Sequence, residues 1–242
     1  MTPEETAAGA KPAVLRFGGA WMLDGATRAR ARDVGLRSRP AYYCGRGGVL
    51  GDVDAAVVGA TFAFFPFEVL RAAWEAGRAV MPPAQAAAHY ASFCAEWGRE
   101  HWASFAGAGR LADLIEEVVD AAEPAGLPLF AGWRAMPRPA DDPARLNLAL
   151  HVLREHRGAV HVAAVAAVGL PPLAAVVAGP YEGNAKFFEW PEPYPDPEPY
   201  REAWAKAEEL TAAAAAVPFG ALRDAERVEL VELLGALSAT AG

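Results

Sequence analysis

The sequence predicts an all-α protein: two helix-turn-helix-like halves packed on a shared helical core, with at most a minor β-wing. Three observations lead there. One pattern occurs twice: residues 26–46 (ATRARARDVGLRSRPAYYCGR) align with 160–180 (VHVAAVAAVGLPPLAAVVAGP) on Val34-Gly35-Leu36 and Val168-Gly169-Leu170. Each copy reads as an Ala-rich helix, a turn at Gly-Leu and a second helix. Apolar residues recur at the i, i+3, i+4 spacing of a buried helical stripe, most clearly Leu111, Leu114, Ile115, Val118 and Val119. No segment alternates with period two for long enough to make a strand.

Taken in order, residues 1–12 are expected to be a loose tail, and Leu15 to Leu23 a short helix that starts the core. The first repeat follows and ends at Cys44. Gly45-Arg46-Gly47-Gly48 is expected to be a loop. Asp52 or Asp54 can cap the next helix, AAVVGATFAFF. Pro66 kinks that helix or opens EVLRAAWEAG, which Gly77 stops. Pro82-Pro83 starts a long helix that ends near Gly107, and another runs from Arg110 to Ala122. Pro124 to Pro128 is a turn, with Phe130 to Trp133 packed near it, and Pro137 to Pro143 reads as a linker. A helix from Pro143 to His156 precedes the second repeat. Six prolines between 180 and 200 predict an extended, aromatic strap, either a lid or a surface feature. Helices at about 199–216 and 221–238 close the chain. The linker divides it into an N-terminal half, 13–136, and a C-terminal half, 143–238.

Bulk properties narrow the function. With 242 residues and 53% hydrophobic content, the chain can bury a sizeable core. Two cysteines without a spaced framework fit a reducing cytoplasm and give no zinc signature. Residues 1–12 carry no apolar signal core, and no uncharged apolar run is long enough for a membrane span, so a cytoplasmic protein with no membrane partner is expected. Arginine far outnumbers lysine, as codon usage in a GC-rich genome produces. A net charge of −8 argues against non-specific nucleic-acid binding by the whole surface. Residues 24–50, however, hold six Arg against two Asp.

Five constellations could carry chemistry. His151 and Glu155 are four apart and share a helix face. His161, expected to open a further helix after Gly158, could point back at them. Such a set could relay protons as His151, Glu155 and His161, or form a polar seam between helices. Its spacing matches no metal signature, so neither a metal nor a cofactor is expected. On the long helix, His89, Phe93, Trp97 and His101 form an i, i+4 ladder, with the aromatics inward and the polar ends wet. Cys94 has little nearby positive charge to activate it. In Tyr42-Tyr43-Cys44-Gly45-Arg46-Gly47-Gly48, an arginine framed by glycines could clamp an anion bidentately or staple its turn to Asp52 or Asp54. Among Arg28, Arg30, Arg32, Arg37 and Arg39, the first three do not all share one helix face, and the set reads as a solvated basic surface or, alternatively, as a phosphate contact. The Thr61 to Phe67 run reads as core or as the wall of an apolar pocket.

GGAWMLDGATRARARDVGL, YYCGRGGVLGDVDAAVVGATFAFFPFEVLRAAWE and LHVLREHRGAVHVAAVAAVGL together resemble the SalK-like helix-turn-helix family of actinobacterial proteins. The resemblance spans roughly 15–235. Gly45-Arg46, Val49-Leu50-Gly51, the Phe62 to Pro66 run, and Arg157-Gly158 with His161 carry it most strongly. It implies a helical fold with helix-turn-helix-like units, and some members of that family sit with natural-product genes. It supplies no catalytic residues. Near the N-terminus the chain departs from the commoner pattern, with Gly18-Gly19-Ala20-Trp21 where a His-containing segment is usual.

The functional expectation is a small-molecule ligand held between the two halves, by an enzyme of natural-product biosynthesis or a sensor. Tyr43, Arg46, Phe62, Phe65, Trp97 and His101 would line the pocket, with Arg46 and His161 as polar anchors. The alternative is a DNA-binding regulator that uses the first unit. Nucleic acid is the less expected partner, because the helices after both Gly-Leu turns are apolar. A homodimer is a candidate assembly.

Overall fold

A computed structural model of the chain describes residues 1–180 and 183–240. Among these, 76% of residues are helical and no strand occurs. The first helix, α1 (Pro3–Ala20), begins in what the sequence reading took for a tail. Thr2 accepts from the Glu5 amide and Glu5 reaches back to the Thr2 amide, closing a capping box ahead of Pro3. Val14 and Phe17 then bury against the rest of the core.

After a short 3-10 turn come α2 (Gly25–Asp33) and α3 (Ser38–Pro40), which runs into a wide π turn at Ala41–Gly45. The expected loop at 45–48 is therefore helical through Arg46 and Gly47, with a 3-10 turn at Gly48–Leu50. Its glycines serve close approach rather than openness. A Cβ on Gly45 would lie 2.7 Å from the Tyr90 ring, and one on Gly48 would lie 2.0 Å from the Pro83 carbonyl oxygen.

Asp54 caps α4 (Ala55–Phe62). That helix stops at Phe62 rather than running through Phe65, because Ala63 takes φ 41°. Then follow α5 (Phe67–Arg78), α6 (Pro83–Trp102), α7 (Ala108–Ala121) and α8 (Pro128–Arg134).

The centre of the molecule is α9 (Asp142–Ala167), one unbroken helix of 26 residues where the sequence reading placed two. Gly158 lies inside it, so His161 continues the same helix as His151. α1, α6, α7, α8 and α12 all pack around α9. Leu146, Leu150 and Leu153 face inward, as does a polar row at i, i+4 spacing: Asn147, His151 and Glu155, each at most 1% exposed. The chain ends with α10 (Pro172–Ala178), α11 (Asn184–Phe187), α12 (Arg201–Ala216) and α13 (Asp224–Thr240). Tyr181 and Glu182 of the Pro-rich stretch lie outside the described residues.

The two repeats fold alike at their turns. Gly35 (φ 86°) and Gly169 (φ 68°) are both left-handed. In the first copy, Leu36 donates to the Ala31 carbonyl (2.8 Å) and Gly35 to Arg32 (2.9 Å). In the second, Leu170 donates to Val165 (3.1 Å) and Gly169 to Ala166 (3.0 Å). Both are complete Schellman caps, and both leucines are buried. α10 leaves α9 at 110°. No single described helix is long and apolar enough to cross a membrane; α9 and α10 pass that test only as this bent pair.

Candidate functional site

The polar row on α9 is tied to elements distant in sequence. Asn147 accepts from the Trp102 indole (3.2 Å) and donates to the Cys94 carbonyl (2.8 Å). His151 Nδ1 lies 3.1 Å from the Gly18 carbonyl oxygen, so Nδ1 carries the proton. Gly18 permits that approach: a Cβ there would stand 2.6 Å from the Leu150 carbonyl. The other His151 nitrogen, Nε2, is buried with no hydrogen-bond partner, and Trp21 and Trp133 meet the ring edge-on. Burial is the largest influence on His151 and pushes it down to about 4. At neutral pH the ring is therefore neutral, with its Nδ1 proton donated to the Gly18 carbonyl.

Glu155 receives a bidentate fork from Arg46, with Nε to Oε1 at 3.0 Å and Nη2 to Oε2 at 2.8 Å. Arg154 adds a third bond at 3.0 Å. Burial alone would raise the Glu155 carboxyl, but the Arg46 charge outweighs it, with help from His151 and Arg154, and holds it down at about 2. Arg46 also donates to the Tyr42 hydroxyl (2.9 Å) and sits 4.6 Å over the Phe62 ring. The expected partners of Arg46 are engaged elsewhere: Asp52 pairs with Arg78 and Asp54 caps α4.

Of the expected proton-transfer set, His151 and Glu155 come together and His161 does not. His161 Nδ1 lies 3.0 Å from Thr211 Oγ1 and 3.3 Å from Glu208. Because the Thr211 hydroxyl donates to the Ala207 carbonyl (2.6 Å), it must accept from His161. The proton of the neutral ring is therefore on Nδ1, and Nε2 is left as an acceptor with no partner among the described residues. Burial, the largest influence, lowers His161 against the opposing pull of Glu208. Its ring lines a cavity of about 270 Å³ with Phe64, Trp204 and Phe188. Glu208 also holds Lys11 and Arg157.

The expected ligand-binding residues divide in the same way. Tyr43, Phe62 and Phe65 join Tyr42 in one cluster, with ring centroids 5.3 to 6.0 Å apart. Arg46 touches this cluster, but its charge is spent on Glu155. Trp97 and His101 stack on each other at 3.8 Å beside Trp102, on a different part of α6, and take no part in the cluster.

The Pro-rich strap closes over the cluster. Phe188 meets Phe65 edge-on at 4.7 Å, and the Trp190 indole donates to the Phe64 carbonyl (2.9 Å). Between the strap, α1 and the π turn lies a cleft of about 570 Å³. Its walls include Tyr42, Tyr43, Phe65 and Phe188, and also Arg28, Arg39 and Arg154. Leu15 and Phe188 belong to this cleft and to the His161 cavity alike, so the two adjoin. The sequence reading missed Arg154 and the α1 wall. An Arg next to Glu155 was visible, but nothing local says which way it points.

Both cysteines are buried and free. Burial pushes Cys44 up to about 11 and Cys94 higher still, so neither is an activated thiol. Among the described residues no group of His, Cys, Asp and Glu is placed to hold a metal ion.

Fold and turns define an all-helical protein carrying two helix-turn-helix units with matching caps. The chain belongs to a helix-turn-helix family, whose model matches residues 12–194. No curated protein and no solved structure matches it.

Proposed function

We propose that this protein binds a small molecule in the cleft beneath the Pro-rich strap. One observation carries the reading: a cleft of about 570 Å³ that combines aromatic walls with several arginines. That volume suits a small organic ligand, as such pockets usually span about 300–1,000 Å³. Residues from both halves of the chain meet there, Tyr42 and Phe65 from one and Arg154 and Phe188 from the other. The SalK-like resemblance adds a setting, natural-product biosynthesis, in which the protein serves as an enzyme or as a sensor. His161 supports the enzymatic version, because its Nε2 has no hydrogen-bond partner among the described residues and its ring lines the adjoining cavity.

The test is a thermal-shift screen followed by Ala20→Trp. Ala20 is exposed and lines the cleft, so an indole there fills the space without disturbing the core. A hit should lose its shift in this variant while the ligand-free melting temperature holds. A shift that survives the substitution removes the reading. Recovery of the ligand unchanged after incubation makes the protein a sensor; conversion makes it an enzyme.

Family membership favours a second reading, a DNA-binding regulator that uses the first unit. The helix after Gly35 weighs against it: Ala41, Tyr43, Cys44 and Gly45 are all buried, which leaves little of it to enter a groove.

A further inference from the structure

Among the described residues, the charges of Arg28, Arg39, Arg154 and Glu189 around the strap cleft do not balance. Arg28 donates from Nε to the Leu23 carbonyl (3.0 Å), and among the described residues no carboxylate pairs with it. Arg154 bonds Glu155, but that carboxylate already holds the fork from Arg46. Two guanidiniums on one carboxylate leave a positive charge over. Arg39 is paired with Glu189, the one acidic residue of the cleft wall among the described residues.

Glu189 is held there at a cost. Its φ is 66°, a left-handed backbone that disfavours residues with a Cβ. The ion pair itself is open to water, with side-chain exposures of 59% for Arg39 and 36% for Glu189, so screening makes it weak and easily exchanged. Glu189 lines the cleft together with Tyr42, Tyr43, Phe65 and Phe188.

We infer that Glu189 is an internal stand-in for the ligand's own acidic group. The ligand is a planar-ring oxyanion, a carboxylate or a phosphate, whose ring stacks among the aromatics. Its acid displaces Glu189 from Arg39, and the excess charge of Arg28 and Arg154 favours it. This inference rests on the cleft reading above and adds the ligand's charge and the competition from the strap.

The experiment is calorimetric titration with 2-naphthoate, 2-naphthyl phosphate and the neutral 2-naphthamide. The proteins are the wild type, Glu189→Gln, Arg39→Gln, the double variant and Ala20→Trp. At least one anion should bind about tenfold or more tighter than the amide, and the tighter of the two names the oxyanion. Glu189→Gln should tighten anion binding about 2- to 5-fold, the reach of an exposed ion pair, and leave the amide unchanged. Arg39→Gln should abolish that gain. Both positions are surface-exposed, and circular dichroism checks that each variant folds. Equal binding of anions and amide, no gain in Glu189→Gln, or anion binding that survives Ala20→Trp overturns the inference. If the amide binds in the cleft as well as the anions do, the cleft reading stands and only the charge assignment falls. If no probe binds any variant, both fall.

Discussion

At the residue scale, Arg46 and Glu155 fix the polar centre. They are 11% and 1% exposed, and removing one member of such a pair strands a buried charge. Arg46→Met should cost about 3 kcal/mol in urea unfolding at pH 7. Arg46→Lys should cost less, since it keeps the charge but loses the planar fork. Adding Glu155→Gln to Arg46→Met should recover part of the loss. A single variant that unfolds like the wild type would mean the pair is not buried in solution. A second expectation follows from protonation. His151 and His156 are each held down to about 4, chiefly by burial. A free imidazole titrates near 6.5, so between about pH 6.5 and 4 the unfolded chain binds more protons than the folded one. Stability from these groups is full above that window and lost as pH falls through it. Glu155, held down at about 2, acts in the same direction below its unfolded value of about 4.3. Loss of stability on acidification should therefore begin near pH 6.5 rather than in the carboxylate range. His156→Leu should flatten the slope between pH 6 and 5 by up to about 1.4 kcal/mol per pH unit, the weight of one proton. Unfolding midpoints at four pH values decide it, and an unchanged slope removes the assignment.

At the element scale, the matching Schellman caps make a sharp test of the repeat. Gly169 has φ 68° and open space where a Cβ would sit, so Gly169→Ala meets only the left-handed penalty, about 1–2 kcal/mol. Gly35→Ala meets the same penalty, and its Cβ also lies 3.3 Å from Val80, so it should cost at least as much. Asn, which tolerates this backbone better, should cost less than Ala at Gly169. Losses near zero would mean that the turns are not left-handed. This was also the most legible part of the fold, because a Schellman cap demands a glycine and then an apolar residue, and Val-Gly-Leu shows both. The stripe on α7 was legible for the same reason: its contacts repeat locally. The start of α1 was legible in principle, since Thr2-x-x-Glu5 ahead of Pro3 is a capping signature. Gly9 and Pro12 mask it, and packing on α9, α12 and α13 offsets their poor propensity. The candidate site divides along the same line. His151 and Glu155 could be paired from their spacing of four. The bond from Arg46 to Glu155 spans 109 residues and that from His161 to Thr211 spans 50, and no local pattern records either. His161 was assigned to the wrong carboxylate because Gly158 looked like a helix break. It is instead one more residue of α9, and three turns of helix separate His161 from His151.

At the scale of the whole molecule, the question is whether a helix-turn-helix family member of this shape reads DNA. A recognition helix must present polar side chains along an exposed face for base edges to meet. In the first unit that helix is the segment 38–45, and Ala41, Tyr43 and Cys44 face the core. In the second it is α10, whose Ala174, Ala175, Val176 and Ala178 are buried. The preceding helix does no better: Arg28 is turned onto the Leu23 carbonyl, and Arg30 is held by Glu96 and Glu100 of α6. Arg39 is paired with Glu189, which leaves Arg32 and Arg37 without a partner among the described residues. Arg28, Arg32 and Arg37 are exposed arginines with no carboxylate partner among the described residues, a small basic patch that a net charge of −8 opposes as a source of phosphate contacts. We therefore expect no sequence-specific duplex binding by this chain alone at physiological salt, where specific sites are usually held at about 10⁻⁸ M or tighter. Selection from random duplexes is the measurement. One enriched sequence, with binding lost when Arg28, Arg30, Arg32, Arg37 and Arg39 are neutralised together, would reverse the conclusion and make the first unit a reader. Weak binding that ignores sequence and disappears in moderate salt would not, because any small basic patch attracts a polyanion to that extent.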